Sequence, residues 1–260
     1  MSDFASQLPK GAPADPRSTD PKDATQGKGR AIRPRDAGTL LVLDRSAKDV
    51  RVLVGKRHGK HAFMANRYVF PGGRTDPGDS RVPLSEGHDL RADDLKKLTA
   101  GTVKRFTPRR ATATALSAVR ETYEEAGLFI GKRASTERFL AAGWEAFSDH
   151  GIVPDLSKLR FIARAITPPG RVRRFDTRFF ACWRDEAVAH ELPEGGPTQE
   201  LSDLTWLPIE EAVGSDNLPG ITRIIVAHLV ERLQTDSDLQ RLVSVPMHFE
   251  RRGDMVLERL

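Results

Sequence analysis

Apolar and polar positions divide the 260-residue chain into a front with few large hydrophobic residues and a body rich in them. Residues 1 to about 36 mix prolines, glycines and charge. Such a stretch cannot bury enough apolar surface to offset its ordering entropy, which predicts a disordered tail and a folded domain over 37–260, its first strand near Gly38. "TLLVLDR" (Thr39–Arg45) and "VRVLVGKR" (Val50–Arg57) are β-branched and leucine-rich runs around a polar turn, and they read as paired strands. "RYVF" (Arg67–Phe70) reads as a short strand stopped by "PGG". From about 80 to 110 strand character disappears, apart from a short helix in "HDLRADDLKKLTAG" closed by Gly101. A helix follows from about Arg110 to Ala126, with Gly127 as its stop. "LRFIARAITP" and "RRFDTRFFACW" predict a hairpin, "LSDLTWLPI" a strand, and "PIEEAVG" and "ITRIIVAHLVERLQ" two helices. "RLVSVPMHFE" reads as a last strand. Strands and helices mix without βαβ alternation, which points to an α+β chain, a mixed sheet sandwiched between helices.

The helix from Arg110 is patterned on two sides. A helix turns about 100° per residue, so Val119, Tyr123 and Ala126 fall about 280° to 340° round from Leu116. Glu121, Glu124 and Glu125 fall near 140°, 80° and 180° by the same rule, with Arg120 at their border. The glutamates are consistent with a solvated face, since like charges at this spacing cost only about 0.2–0.5 kcal/mol per pair. From the helix alone the solvated face is the favoured reading, and the start of a cation platform is the other.

Composition narrows the classes. The net charge of +5 and pI near 9.5 favour anionic ligands without marking a nucleic-acid footprint, and no aromatic-and-basic array adds one. The only cysteine, Cys182, allows no intramolecular disulfide and no cysteine-cluster zinc site. No apolar run approaches membrane-spanning length and the N-terminal stretch has no secretory core, so a cytoplasmic protein without a membrane partner is expected. Serine-hydrolase and P-loop signatures are missing. His58 and His61 have no acidic or cysteine neighbour to complete a zinc pair. Trp144, Trp183 and Trp206 are well separated and read as core residues.

Upstream, "VFPGGRTDPGD" (Val69–Asp79) ends a strand in bare backbone, where a ligand can come close. Together with "RETYEEAGL" (Arg120–Leu128) it resembles the Nudix hydrolase signature, which runs Gly, five residues, Glu, seven residues, then Arg-Glu-apolar-x-Glu-Glu-x-Gly-apolar. Gly73 takes the first position, and Arg120, Glu121, Glu124, Glu125, Gly127 and Leu128 take the second half. Asp79 stands where the family normally has glutamate, Thr122 where it has an aliphatic residue, and 40 residues rather than seven separate Asp79 from Arg120. The long interruption, with "ITPPGRVRRFDTRFF" downstream, is similar to the branch that includes peroxisomal coenzyme A diphosphatases, although the final "HFERRGDMVLERL" does not look like a peroxisomal address.

This resemblance implies the Nudix fold and hydrolysis of a diphosphate in a nucleoside-diphosphate derivative, with coenzyme A or an acyl-CoA the favoured substrate. A nucleotide sugar, a dinucleotide or an NAD-like compound, a non-catalytic Nudix module, and an isomerase on the same scaffold stay open, as does a homodimer. It implies Mg2+ or Mn2+ held by Glu121, Glu124, Glu125 and the Gly72 carbonyl, with Arg120 bracing the glutamates. The metal role of the Asp79 position is not carried over. Glu200, in "TQELSDLTW", is a candidate water-activating acid, with a plain surface residue as the other reading. Arg171, Arg173, Arg174 and Arg178 read equally as an anion-binding set or as a salt-bridged sheet face, with Arg174 and Arg178 on one side of a strand. Arg57, at the end of its strand, is a further candidate for substrate binding.

Overall fold

The structure, a computed structural model, describes residues 32–57, 67–103, 105–134, 141–171 and 173–260. Most of the predicted tail, and His58 and His61, lie outside these residues. The first strand, β1 (Arg35–Asp44), begins slightly ahead of the expected start of the body.

β1 pairs along its length with the parallel β8 (Phe175–Trp183). Its other edge is shared. β2 (Arg51–Arg57) pairs antiparallel only at Leu43↔Val52 and Asp44↔Arg51, and the two strands then part like a fork. The fork is filled by residues 68–74: β3 (Tyr68–Val69) pairs with β2, and β4 (Gly72–Arg74) pairs with β1 at Ala37↔Arg74, Gly38↔Gly73 and Thr39↔Gly72. As the sequence suggested, the short strand β3 ends just ahead of "PGG". "PGG" carries the chain from one arm of the fork to the other, and a second short strand starts inside it.

β7 (Arg160–Ile166) forms the expected antiparallel hairpin with β8, and β10 (Leu201–Pro208) pairs with β2 at the far side. β11 (Pro246–Arg251) joins β7 in parallel and turns back as β12 (Asp254–Arg259), a strand the sequence pattern does not reveal. The result is a nine-stranded mixed sheet with the order β10-β2-β1-β8-β7-β11-β12, plus β3 and β4 in the fork. A second sheet holds β5 (Leu128–Arg133) between β6 (Ile152–Pro154) and β9 (Val188–Glu191).

Strand alternation sends Leu40, Val42, Phe180 and Cys182 to one core and Leu41, Leu43, Phe179 and Ala181 to the other. The second core is closed by α5 (Ile209–Gly214) and α6 (Gly220–Thr235), through Ile225, Val226 and Leu229. The first lies under α2 (Pro108–Ala126), with α1 (Ala92–Thr99) beside it. Two short helices, α3 (Glu145–Asp149) and α4 (Arg184–Ala187), complete the described chain.

α2 starts where its sequence asks it to. The Thr107 hydroxyl accepts from the Arg110 N–H, and Pro108 sits where a missing N–H costs nothing. It ends at Gly127 in the left-handed conformation. The helix does not, however, have one wet side. Leu116 and Val119 are buried as predicted, but so are Arg120, Thr122 and Glu125. The Thr122 hydroxyl, in a position the resemblance expects to be aliphatic, is satisfied by donating to the Ala118 carbonyl at 2.7 Å.

Candidate active site

The site is built where α2 crosses the fork. Glu121 packs against Gly73 so closely that a Cβ there would lie 2.3 Å from the glutamate Oε1 and would push the carboxylate aside. One turn on, Glu125 Oε2 accepts from the Gly72 N–H at 2.9 Å. The resemblance implied a role for the Gly72 carbonyl; the contact with the glutamates is made by its N–H.

Arg120 braces the glutamates. Its Nη1 donates to Glu124 Oε2 at 2.7 Å and lies 3.0 Å from Glu121 Oε1, and its Nη2 donates to the Arg74 carbonyl at 3.1 Å. Its Nε donates to Asp79 Oδ1 at 2.9 Å. Asp79 is wholly enclosed, on the short 3-10 turn Asp79–Arg81, and its Oδ1 also accepts from the Trp144 indole N–H at 3.0 Å while Oδ2 accepts from the Asp76 N–H at 2.8 Å. The 40-residue interruption thus leaves the acid beside Arg120, where its two oxygens are occupied by protein donors.

The electrostatics are lopsided. Burial pushes the Glu125 carboxyl up to about 8; Glu121 and Glu200 add to the rise, and the Gly72 N–H and Arg57 oppose it. Burial pushes Glu121 up to about 7, opposed by Arg120 and reinforced by Glu124 and Glu200. Glu124 is raised by burial against the pull of Arg120. Burial alone would weaken the Arg120 charge, but hydrogen bonding to Asp79 and the charges of Glu121, Asp79 and Glu124 outweigh it and hold the guanidinium protonated.

Glu200 therefore belongs to the same cluster of charge, brought there by the loop before β10. In that loop the Thr198 N–H and hydroxyl both donate to the Glu124 carbonyl, at 3.1 and 2.8 Å, fastening it to the last turn of α2. Arg57 is the cation of the predicted set that the structure brings to the glutamates, and its buried Nε has no hydrogen-bond partner among the described residues.

The other arginines are placed differently. Arg178 and Arg174 do share one strand side, but Arg178 is fully buried. Its Nη1 donates to Asp36 at 3.2 Å and to the Asp176 carbonyl at 3.0 Å, Nη2 lies 3.3 Å from the Asp176 carboxylate, and its guanidinium lies 3.9 Å over the Phe106 ring. The expectation of an anion-binding fork at Arg178 is corrected: alternation turns it into the layer under α2, where acids and an aromatic face enclose it. Arg174 spends its donors on the Thr167 and Ile32 carbonyls, at 3.0 and 2.7 Å. Burial pushes the Cys182 thiol up to about 12, so it is no nucleophile for an isomerase.

Trp144 and Thr198 are the site-supporting residues that sequence reasoning missed. Trp144 is the core residue expected, but spacing gives no sign that its polar tip reaches Asp79 across 65 positions.

The chemistry of this donor set suits a hard divalent cation. Such ions take oxygen ligands and keep several waters and substrate phosphates, so a complete protein cage is not required. Among the described residues no three such side chains converge into a ready-made cage. What the structure does contain is a group of carboxylates whose proton affinity is raised first by burial and further by their mutual repulsion, which added positive charge would relieve. Glu121, Glu124 and Glu125 are the carboxylates such a charge would meet.

No family model matches the chain. A Caenorhabditis elegans protein described as "Putative nudix hydrolase 7" is 26% identical over 199 residues, 69% of this chain and 53% of that protein. The chain thus spans about half the length of the curated relative it matches. The crystal structure of a NUDIX hydrolase from Alicyclobacillus acidocaldarius aligns at 28% identity and a TM-score of 0.51, over 75% of this chain and 92% of that one. Both support the resemblance to the Nudix hydrolases, and the α+β architecture with its mixed sheet between helices is the Nudix fold.

Proposed function

We propose that the protein hydrolyses a diphosphate linkage in a nucleoside-diphosphate derivative, dependent on Mg2+ or Mn2+, with coenzyme A or an acyl-CoA as the favoured substrate. The observation that carries this reading is the placement of Glu121 and Glu125 against the side-chain-free Gly73 and Gly72 backbone, with Glu124 tied to Arg120 and with Glu200 and Arg57 near enough to act on the buried carboxylates. When bound, a divalent cation neutralises diphosphate charge and makes a bound water more acidic. The chain's own residues do the rest. Arg57, half-buried beside Glu125, offers its guanidinium to a phosphate oxygen. The bare backbone at Gly72 and Gly73 lets the diphosphate approach, and Glu200 orients the attacking water and accepts its proton at a carboxylate oxygen. Arg120 keeps Glu121 and Glu124 in place rather than touching substrate.

The preference for coenzyme A rests on the resemblance of the interrupted motif and its downstream strand pair. A nucleotide sugar, dinucleotide or NAD-like compound is the alternative, set by the residues from 80 to 107 and by the β7–β8 turn. The reading is tested by screening coenzyme A, acyl-CoA, nucleotide sugars and dinucleotides with either metal, wild type against Glu125→Gln. We expect hydrolysis of at least one class, and a kcat lower by about a hundredfold or more in the variant. No hydrolysis of any class with either ion would sink the enzyme; full activity in Glu125→Gln would remove the glutamate from the metal site.

A further inference from the structure

Three separate stretches of chain meet on the carboxylate of Asp79: its own turn, through the Asp76 N–H; α2, through Arg120; and the 141–147 segment, through Trp144. Oδ1 receives two donors, Arg120 Nε at 2.9 Å and Trp144 Nε1 at 3.0 Å, while Arg120 Nη2 also lies 3.4 Å from Oδ2. The guanidinium is a rigid plane, so its Nε and Nη1 cannot be aimed independently. Whatever fixes Asp79 therefore fixes where Nη1 presents itself to Glu121 and Glu124.

The residue before the tryptophan takes part in the same arrangement. Gly143 has φ +86°, and a Cβ there would lie 3.2 Å from Arg120 Cδ. The segment thus lies along the arginine stem with Gly143 and caps its partner acid with Trp144. The indole is fully buried against Phe147, with ring centroids 4.8 Å apart. An N–H in such surroundings is costly unless it is paired, and here it is paired with a carboxylate.

We infer that Trp144 is a positioning residue of the glutamate cluster: its indole N–H locks Asp79, and through it the Arg120 plane, in the orientation that holds Glu121 and Glu124 ready for a divalent cation. The inference rests on the reading of α2 as the metal-binding helix, and it adds to that reading a control point outside the motif. A purely structural tryptophan would stabilise the core without affecting cation affinity.

The experiment uses the full chain. Trp144→Phe keeps a ring and removes the donor; Phe147→Leu erodes the same aromatic cluster and leaves the Asp79 contacts alone. By calorimetry we expect Mn2+ to bind about tenfold more weakly to Trp144→Phe, as for removal of other outer partners of metal ligands, and within about twofold of wild type to Phe147→Leu. In 15N-labelled protein, the indole signal lost in Trp144→Phe should be the one that shifts in Asp79→Asn. Wild-type Mn2+ affinity in Trp144→Phe, an equal loss in Phe147→Leu, or an indole signal indifferent to Asp79→Asn would each overturn the inference alone. A wild-type protein that binds no Mn2+ would overturn it together with the reading of α2.

Discussion

Arg120 and Arg178 are both buried and both ringed by charge, but in opposite proportion. Around Arg120 stand Asp79, Glu121 and Glu124, three acids for one cation. Around Arg178 stand Asp36 and Asp176, and each of these is already engaged by a further arginine, Arg110 and Arg164 respectively. The proton affinities follow the surplus. Arg120 is held more firmly charged than a free arginine, while burial, with Arg164 adding to it, lowers Arg178 to about 10. A surplus of acid facing open backbone is the feature on which the proposed cation role rests. The surplus of base around Arg178 is sealed, with Phe106 covering the guanidinium, so its Nε and Nη2, which lack hydrogen-bond partners among the described residues, are closed to a ligand.

Two variants test that contrast directly. Arg120→Met should have the largest effect, because it leaves the buried Asp79 charge without a counter-ion, held only by the Trp144 and Asp76 N–H donors: a loss of about 3–5 kcal/mol in urea unfolding, with hydrolysis abolished. Arg178→Met should cost less, about 1–2 kcal/mol, since Asp36 keeps Arg110 and Asp176 keeps Arg164. Its KM should match wild type; a tenfold rise would return Arg178 to the substrate site.

The smallest expected effect sets the pH at which these comparisons are made. His228 and His248 share an Nε2–Nε2 contact of 3.0 Å, and burial lowers both, His248 to about 4 with His228 and Arg259 adding to the fall. The folded state thus prefers the neutral rings, and the unfolded chain binds more protons between about 4 and 6.5. Stability from this pair is full above that window and is lost as pH falls through it. The urea midpoint should slide on acidification below about 6.5, with a shallower slope in His248→Gln; an unchanged slope would remove the pair from the account.

Much of the site was legible because it rests on periodicity. Opposed stripes on α2 and the Gly-Gly upstream are local patterns, and the structure sets Glu121 and Glu125 directly against Gly73 and Gly72. Alternation placed Arg174 and Arg178 on one side of their strand correctly. It could not say that this side faces another layer, because burial depends on what packs from elsewhere in the chain, here Phe106 and Asp36. β5, β6 and β9 escaped for a related reason: they are short and make their own small sheet, with no long alternating run to announce them. The Trp144–Asp79 and Thr198–Glu124 contacts join distant positions through single polar atoms, and no spacing encodes them.

The fork between β1 and β2 has a dynamic consequence. Gly72 and Gly73 are rungs of the sheet on one side and the floor beneath the glutamates on the other. Peeling β4 from β1 would release the Gly72 amide from Glu125 in the same movement. Fraying of β4 and loss of the Gly72–Glu125 contact would therefore be a single opening event, which the deuterium-exchange rate of that one glycine amide would report.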